Sequence, residues 1–280
     1  MAKKEHAIIS LEDFTESINM LLYGDSGVGK TVLAGSCPNA LFLSFEPGTI
    51  SAKRQGSTAK LWPIKSWSDL VDARDWLLDN PGAHDWVILD SITQMQKLCM
   101  RTILDAAVAD NRSRDPDIPA LQDWQKYYNM FDRFIAAFND LPVNILYIAT
   151  TMRHEDEEGE DLVLPDIQGK GYHIAQSICA SVAIVAYLKA SASGKGEEAE
   201  ISRKLLFQSF PPFFAKDRYG VFPRWVTVTK GDQQITTMAQ ITRKIMAPVA
   251  TVAPIKRAPA KKVPTKAVPT KAAPTRRRPA

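Results

Sequence analysis

Cysteine is scarce in this chain, with three in 280 residues, at positions 37, 99 and 179. They are odd in number, far apart and without metal-ligand spacing, which excludes a disulfide framework and fits a reducing compartment. Long apolar runs are missing too. The most apolar stretch, Val182 to Leu188, falls well short of the roughly 20 residues a bilayer span requires, and no long apolar run follows Met1 to His6. The expectation is a cytoplasmic protein with no membrane partner. Acid is absent from one region in particular. Residues 248–280 hold nine lysines and arginines and no aspartate or glutamate, so the net charge of +4 for the whole chain leaves about −5 for residues 1–247. This tail repeats a Val-Pro-Thr-Lys-Ala pattern at a five-residue period from Val263. Such a composition buries too little apolar surface to fold, so a disordered basic tail is expected after a folded unit spanning 1–247.

What the chain does contain is one strong motif. Gly24, Asp25, Ser26, Gly27, Val28, Gly29, Lys30 and Thr31 match G-x-x-x-x-G-K-[ST]. An apolar run, Ile18 to Tyr23, precedes the motif and suits a buried strand, and Thr31 to Ala34 is able to open a helix. The glycines let the backbone turn with no Cβ in the way, so consecutive N–H groups converge on an anion. Lys30 is expected to reach the β- and γ-phosphates, and the Thr31 hydroxyl to ligate Mg²⁺. All eight residues are therefore candidate nucleotide-binding positions.

Strand and helix signals alternate after the motif. Ala40 to Phe45 reads as a second strand that ends on Glu46, with Pro47-Gly48 behind it. Leu70, Val71, Ala73, Trp76 and Leu77 recur at helical spacing. Trp86-Val87-Ile88-Leu89-Asp90 is an apolar run leading to a carboxylate; a strand of this kind beside the phosphate loop places Asp90 to hold Mg²⁺. Two apolar stripes follow, one from Ile92 to Leu104 and one through Leu121, Trp124, Tyr128, Phe131, Ile135 and Phe138, with a polar, mobile loop expected between them. Val143 to Thr151, Ser181 to Leu188 and Ile201 to Phe207 read as further strands, and Thr236 to Met246 as a last helix. The predicted fold is α/β, a mainly parallel central sheet flanked by helices with a C-terminal β-hairpin region.

These landmarks resemble the RecA-like P-loop ATPase superfamily over about residues 15–247, and most of all its small phage-encoded single-strand annealing and recombination ATPases. The resemblance implies ATP and Mg²⁺ as ligands and ATP hydrolysis as the activity. It implies that Glu46 is the general base for the attacking water and that Thr151 stands where the family keeps a polar sensor, often Gln. Ala215 to Gly220 resembles the Lys-x-Arg segment that helicase-like members send into a neighbour's site, which implies that Lys216 and Arg218 act in trans. A homo-oligomer, ring or filament, with ATP at subunit interfaces follows from that reading.

The segment after the sensor strand contacts single-stranded DNA in recombinases. Arg153, Gln168, Lys170, Tyr172 and His173 are the corresponding candidates here, Lys170 for charge and Tyr172 for stacking. Single-stranded DNA is thus the expected partner, with a single-strand DNA-binding protein as a further one, and a host cytoplasm as the place if a phage encodes the chain. Two readings of another class stay open: a nucleotide or small-molecule kinase, and a module in which nucleotide switches a partner interaction.

Overall fold

A computed structural model of the chain describes residues 17–156, 158–169, 173–194 and 200–247. The tail from 248 onward lies outside the described residues. Six strands run parallel: β1 (Asn19–Tyr23), β2 (Ala40–Ser44), β3 (Lys60–Pro63), β4 (Trp86–Asp90), β5 (Asn144–Ala149) and the first half of β8 (Ile184–Ser193). Beyond β8 the sheet turns antiparallel through β9 (Glu200–Leu206), β11 (Trp225–Lys230) and β12 (Gln233–Gln234), giving the order β12-β11-β9-β8-β1-β5-β4-β2-β3. A two-residue strand β10 (Lys216–Asp217) pairs antiparallel with the start of β8. The expected mainly parallel sheet with a hairpin addition is what the chain forms.

Every residue of β1, β2 and β4 is buried, because helices cover both faces. Leu21, Tyr23, Leu43, Leu89 and Tyr147 point to the face covered by α3 (Trp67–Asp79), α4 (Ile92–Asp110), α5 (Leu121–Asn139) and α6 (His173–Ser181). Met20, Leu22, Ile88 and Ile148 point to the other face, under α1 (Lys30–Ala34), α2 (Ile50–Arg54) and α7 (Met238–Ile245). Cys37, Cys99 and Cys179 are all buried in these two layers.

Several expectations need correction. Sequence order hides one feature of the sheet, the insertion of β5 between β1 and β4, although Asp90 still stands within hydrogen-bond reach of Thr31 in the phosphate loop. On α5 the stripe is rotated at its start: Leu121 is 87% exposed, and Tyr127 rather than Tyr128 is fully buried against the core. The loop after α4 is tethered, since Arg114 pairs with the fully buried Asp123, which also accepts from the Ala120 N–H at the start of α5. Thr151, expected at the end of the strand from Val143, instead opens a separate hairpin of β6 (Thr151–Glu155) and β7 (Asp161–Pro165). His173, a candidate DNA residue in the segment after the sensor strand, opens α6.

Candidate nucleotide site

The loop between β1 and α1 is shaped by its glycines. Gly27 and Gly29 have φ of 77° and 103°, in the left-handed region where a side chain is strained. Gly24 is needed for another reason: a Cβ there would lie 2.5 Å from the Leu188 carbonyl oxygen on β8. The helix that follows is short, five residues, and ends at Gly35.

Within this loop the Lys30 ammonium donates to the carbonyl oxygens of Gly24 and Asp25, at 2.8 Å each. Lys30 is buried, and desolvation pushes its pKa down while the carboxylates of Asp90, Asp25 and Glu46 pull it back up. Thr31 Oγ1 donates to Asp90 Oδ2 at 2.8 Å. Burial raises the Asp90 pKa, as does Glu46, against the lowering effect of the Thr31 hydroxyl and of Lys30. A hydroxyl and a carboxylate within hydrogen-bond distance, both oxygen donors, suit a hard cation such as Mg²⁺. The donor set therefore fits the metal the sequence implies, and the buried cation beside it fits a polyphosphate.

Glu46 lies just past the end of β2, exposed to solvent, with its backbone carbonyl accepting from Ser44 Oγ. Its position follows from the sheet register: Ser44 pairs with Asp90, and the Phe45 N–H donates to the Asp90 carbonyl. Lys30, Thr31, Asp90 and Glu46 are thus brought together at one end of three parallel strands. Thr151 joins them from β6, where its hydroxyl donates to Asp25 Oδ1 of the loop at 2.5 Å.

Lys216 and Arg218 are not part of this cluster. Both donate to carbonyls at the C-terminus of α6, Lys216 to Cys179 and Ala180 and Arg218 to Ala180. They sit beside Ile184 and Val185 at the start of β8, whereas the phosphate loop faces the sheet beyond Tyr187. Burial and the neighbouring Arg218 push the Lys216 pKa down. The candidate DNA residues are spread out. Arg153 is exposed on β6, opposite Val163. Gln168 is exposed with its backbone N–H donating to Gln96 Oε1, and His173 begins α6. Lys170 and Tyr172 lie outside the described residues.

Sequence reasoning missed two features of the site. A polar network ties the start of α4 to the segment after β7: Thr93 Oγ1 accepts from the Thr150 N–H and donates to the Asp166 carbonyl, and Gln96 holds both the Asp166 carbonyl and the Gln168 N–H. Arg203 on β9 is the other feature. Its Nε donates to the Val28 carbonyl of the loop at 2.9 Å, across 175 residues of sequence, and no local pattern announces such a contact. Arg203 also lines a cleft of about 650 Å³ that runs from Gly27, Lys30 and Thr31 to Thr229 and Gln234.

A glycine-turned loop with a buried lysine, a Thr–Asp pair and a second acid at the strand tips defines the site of a P-loop nucleoside triphosphatase. The comparison with family sequences agrees: an AAA domain family matches residues 16–219, and the chain belongs to that family. No curated protein matches the chain. Among solved structures it is similar to the flagellar accessory protein FlaH from Methanocaldococcus jannaschii at 11% identity, over 79% of this chain and 91% of that one, with a TM-score of 0.37, too low to carry an inference. No described helix is long and apolar enough to cross a membrane.

Proposed function

We propose that the protein hydrolyses ATP with Mg²⁺ and acts on single-stranded DNA, as an oligomer, in annealing or recombination. The observation that carries the hydrolytic part is the convergence of Lys30, the Thr31–Asp90 pair and Glu46 on one end of the sheet. Mg²⁺, when bound, would supply charge neutralisation for the polyphosphate. Lys30 exchanges its two loop carbonyls for phosphate oxygens, so its burial turns into an electrostatic contact. Thr31 and Asp90 are the residues that would hold the metal. Glu46, open to water and next to both, accepts the proton of the attacking water.

The DNA part rests on the sequence resemblance, on the nine cations of the tail, and on connectivity. Thr151 binds Asp25 of the loop, while Thr150, Thr93 and Gln96 bind the backbone leading to Gln168. These hydrogen bonds give a continuous connection from the phosphate loop to the segment proposed to meet DNA. The trans role of Lys216 and Arg218 requires both side chains to leave the α6 carbonyls they now cap.

The test is ATP turnover with and without single-stranded DNA, together with DNA affinity at several salt concentrations for the full chain and for residues 1–247. The expected outcome is DNA-stimulated turnover, with about half of the nine tail cations engaged and a log–log salt slope near −3 that flattens on truncation. Turnover indifferent to DNA, with equal slopes, removes DNA from the function and favours a kinase or a nucleotide-switched module.

A further inference from the structure

We propose that Arg203 is a nucleotide-binding residue acting in cis, a second cation on the α- and β-phosphates supplied by the antiparallel part of the sheet. The inference rests on the ATPase reading of the same site and extends it to a strand that no motif marks.

Arg203 packs directly against the phosphate loop. Its Nε lies 3.2 Å and its Cδ 3.4 Å from where a Cβ on Gly29 would stand, so the left-handed turn at Gly29 is closed by this side chain. Nε is taken by the Val28 carbonyl, and Nη1 reaches Thr229 Oγ1 only at 3.4 Å. A guanidinium carries five N–H donors in a planar fork and stays charged at any accessible pH. Nη2 has no hydrogen-bond partner among the described residues, and Arg203 forms no ion pair there. Holding a half-buried cation without a counter-ion is unfavourable, and an anion in the same cleft relieves it. Among the described residues the one other charged group lining the cleft beside Lys30 and Arg203 is Asp232, which makes no ion pair with Arg203.

The geometry also says which end of the nucleotide Arg203 meets. Thr31 turns its hydroxyl to Asp90, which marks the metal and the β–γ side of the site. Arg203 lies at the junction between Gly29 and the part of the cleft that continues past Val32 to Gln55 and Thr229. The rest of the nucleotide, from the α-phosphate outward, leads into that part. Contact there is shared by ATP and ADP, so the loss on mutation should be the same for both, unlike a contact to the γ-phosphate alone.

The experiment uses the full chain and measures ATP and ADP affinity at low and moderate salt, with the melting temperature of the unliganded protein. Arg203→Gln keeps a donor for the Val28 carbonyl and removes the charge; Arg203→Lys keeps the charge. The expected result is at least a tenfold, and equal, loss of ATP and ADP affinity in Arg203→Gln, a shallower salt dependence, an unchanged unliganded melting temperature, and recovery of most of the affinity in Arg203→Lys. ADP bound alike by wild type and Arg203→Gln overturns the inference and leaves the ATPase reading intact. A loss that Arg203→Lys fails to restore, with a lowered unliganded melting temperature, reduces Arg203 to a structural clamp and overturns it as well. Wild-type protein that binds neither nucleotide overturns both.

Discussion

The strands β2, β4, β5 and β1 are buried on both faces, whereas β9 and β11, on the far side of β8, carry exposed and half-buried residues along most of their length. The loop and helices that follow β1 and β2 border one cleft together with β9 and β11. The parallel strands place Asp90 and Glu46 by register, at or just past strand ends whose neighbours are fixed by the ladder, and Lys30 follows from the glycine-turned loop after β1. The antiparallel strands contribute by reach: Arg203 extends from β9 to a loop it does not pair with. One region is a frame in which position follows from packing, and the other is a wall whose surface can change with little consequence for the core.

Four substitutions, in three comparisons, test that contrast in order of effect. Lys30→Ala is expected to abolish hydrolysis and to weaken nucleotide binding below detection, because it deletes the buried cation of the loop; turnover at the wild-type rate would refute the site itself. Glu46→Gln should still bind ATP but turn over roughly 10²-fold more slowly, the usual loss for a general base, and a normal rate would move the base to another residue. The third comparison concerns stability in urea. Leu89→Ala, in the fully buried β4, should cost about 2–5 kcal/mol. Val228→Ala, buried but on β11, removes fewer methyl groups beside a strand that is already half open, and about 1–2 kcal/mol is expected. Equal losses would erase the distinction between frame and wall.

The same contrast explains what was readable in the sequence. The runs Met20 to Tyr23, Phe42 to Ser44 and Val87 to Asp90 announce central strands because burial on both faces demands continuous apolar residues, and the phosphate loop announces itself because its chemistry demands glycines at fixed spacing. Sequence order does not reveal lateral order, so the insertion of β5 between β1 and β4 was hidden. The hairpin of β6 and β7 was hidden by its composition: Arg153, His154 and Glu155 lead into an acidic stretch of sequence, and among the described residues of the hairpin only Val163, Leu164 and Pro165 are buried. On α5, Leu121 fits the helical period yet projects from the first turn, beyond the edge of the core, while Tyr127 is packed between Trp124, Tyr128 and Phe131. Lys216 and Arg218 matched a short triplet, and a triplet does not say whether its cations face a neighbour or a helix end of their own chain.

The three cysteines give the protein a further property, chemical silence. Burial pushes the Cys99 and Cys179 thiols up to about 12, and the Cys37 thiol also rises well above its ordinary value. Only the thiolate reacts with maleimides, disulfides or peroxide, and at neutral pH a thiol with a pKa near 12 is ionised to about one part in 10⁵. The native chain should therefore resist alkylation and oxidation while folded. A single cysteine placed at an exposed position such as Ile118, which is 66% accessible, would be the one reactive thiol on the surface. A fluorophore attached there would report on α5 and its neighbours through a nucleotide cycle without removal of any native cysteine.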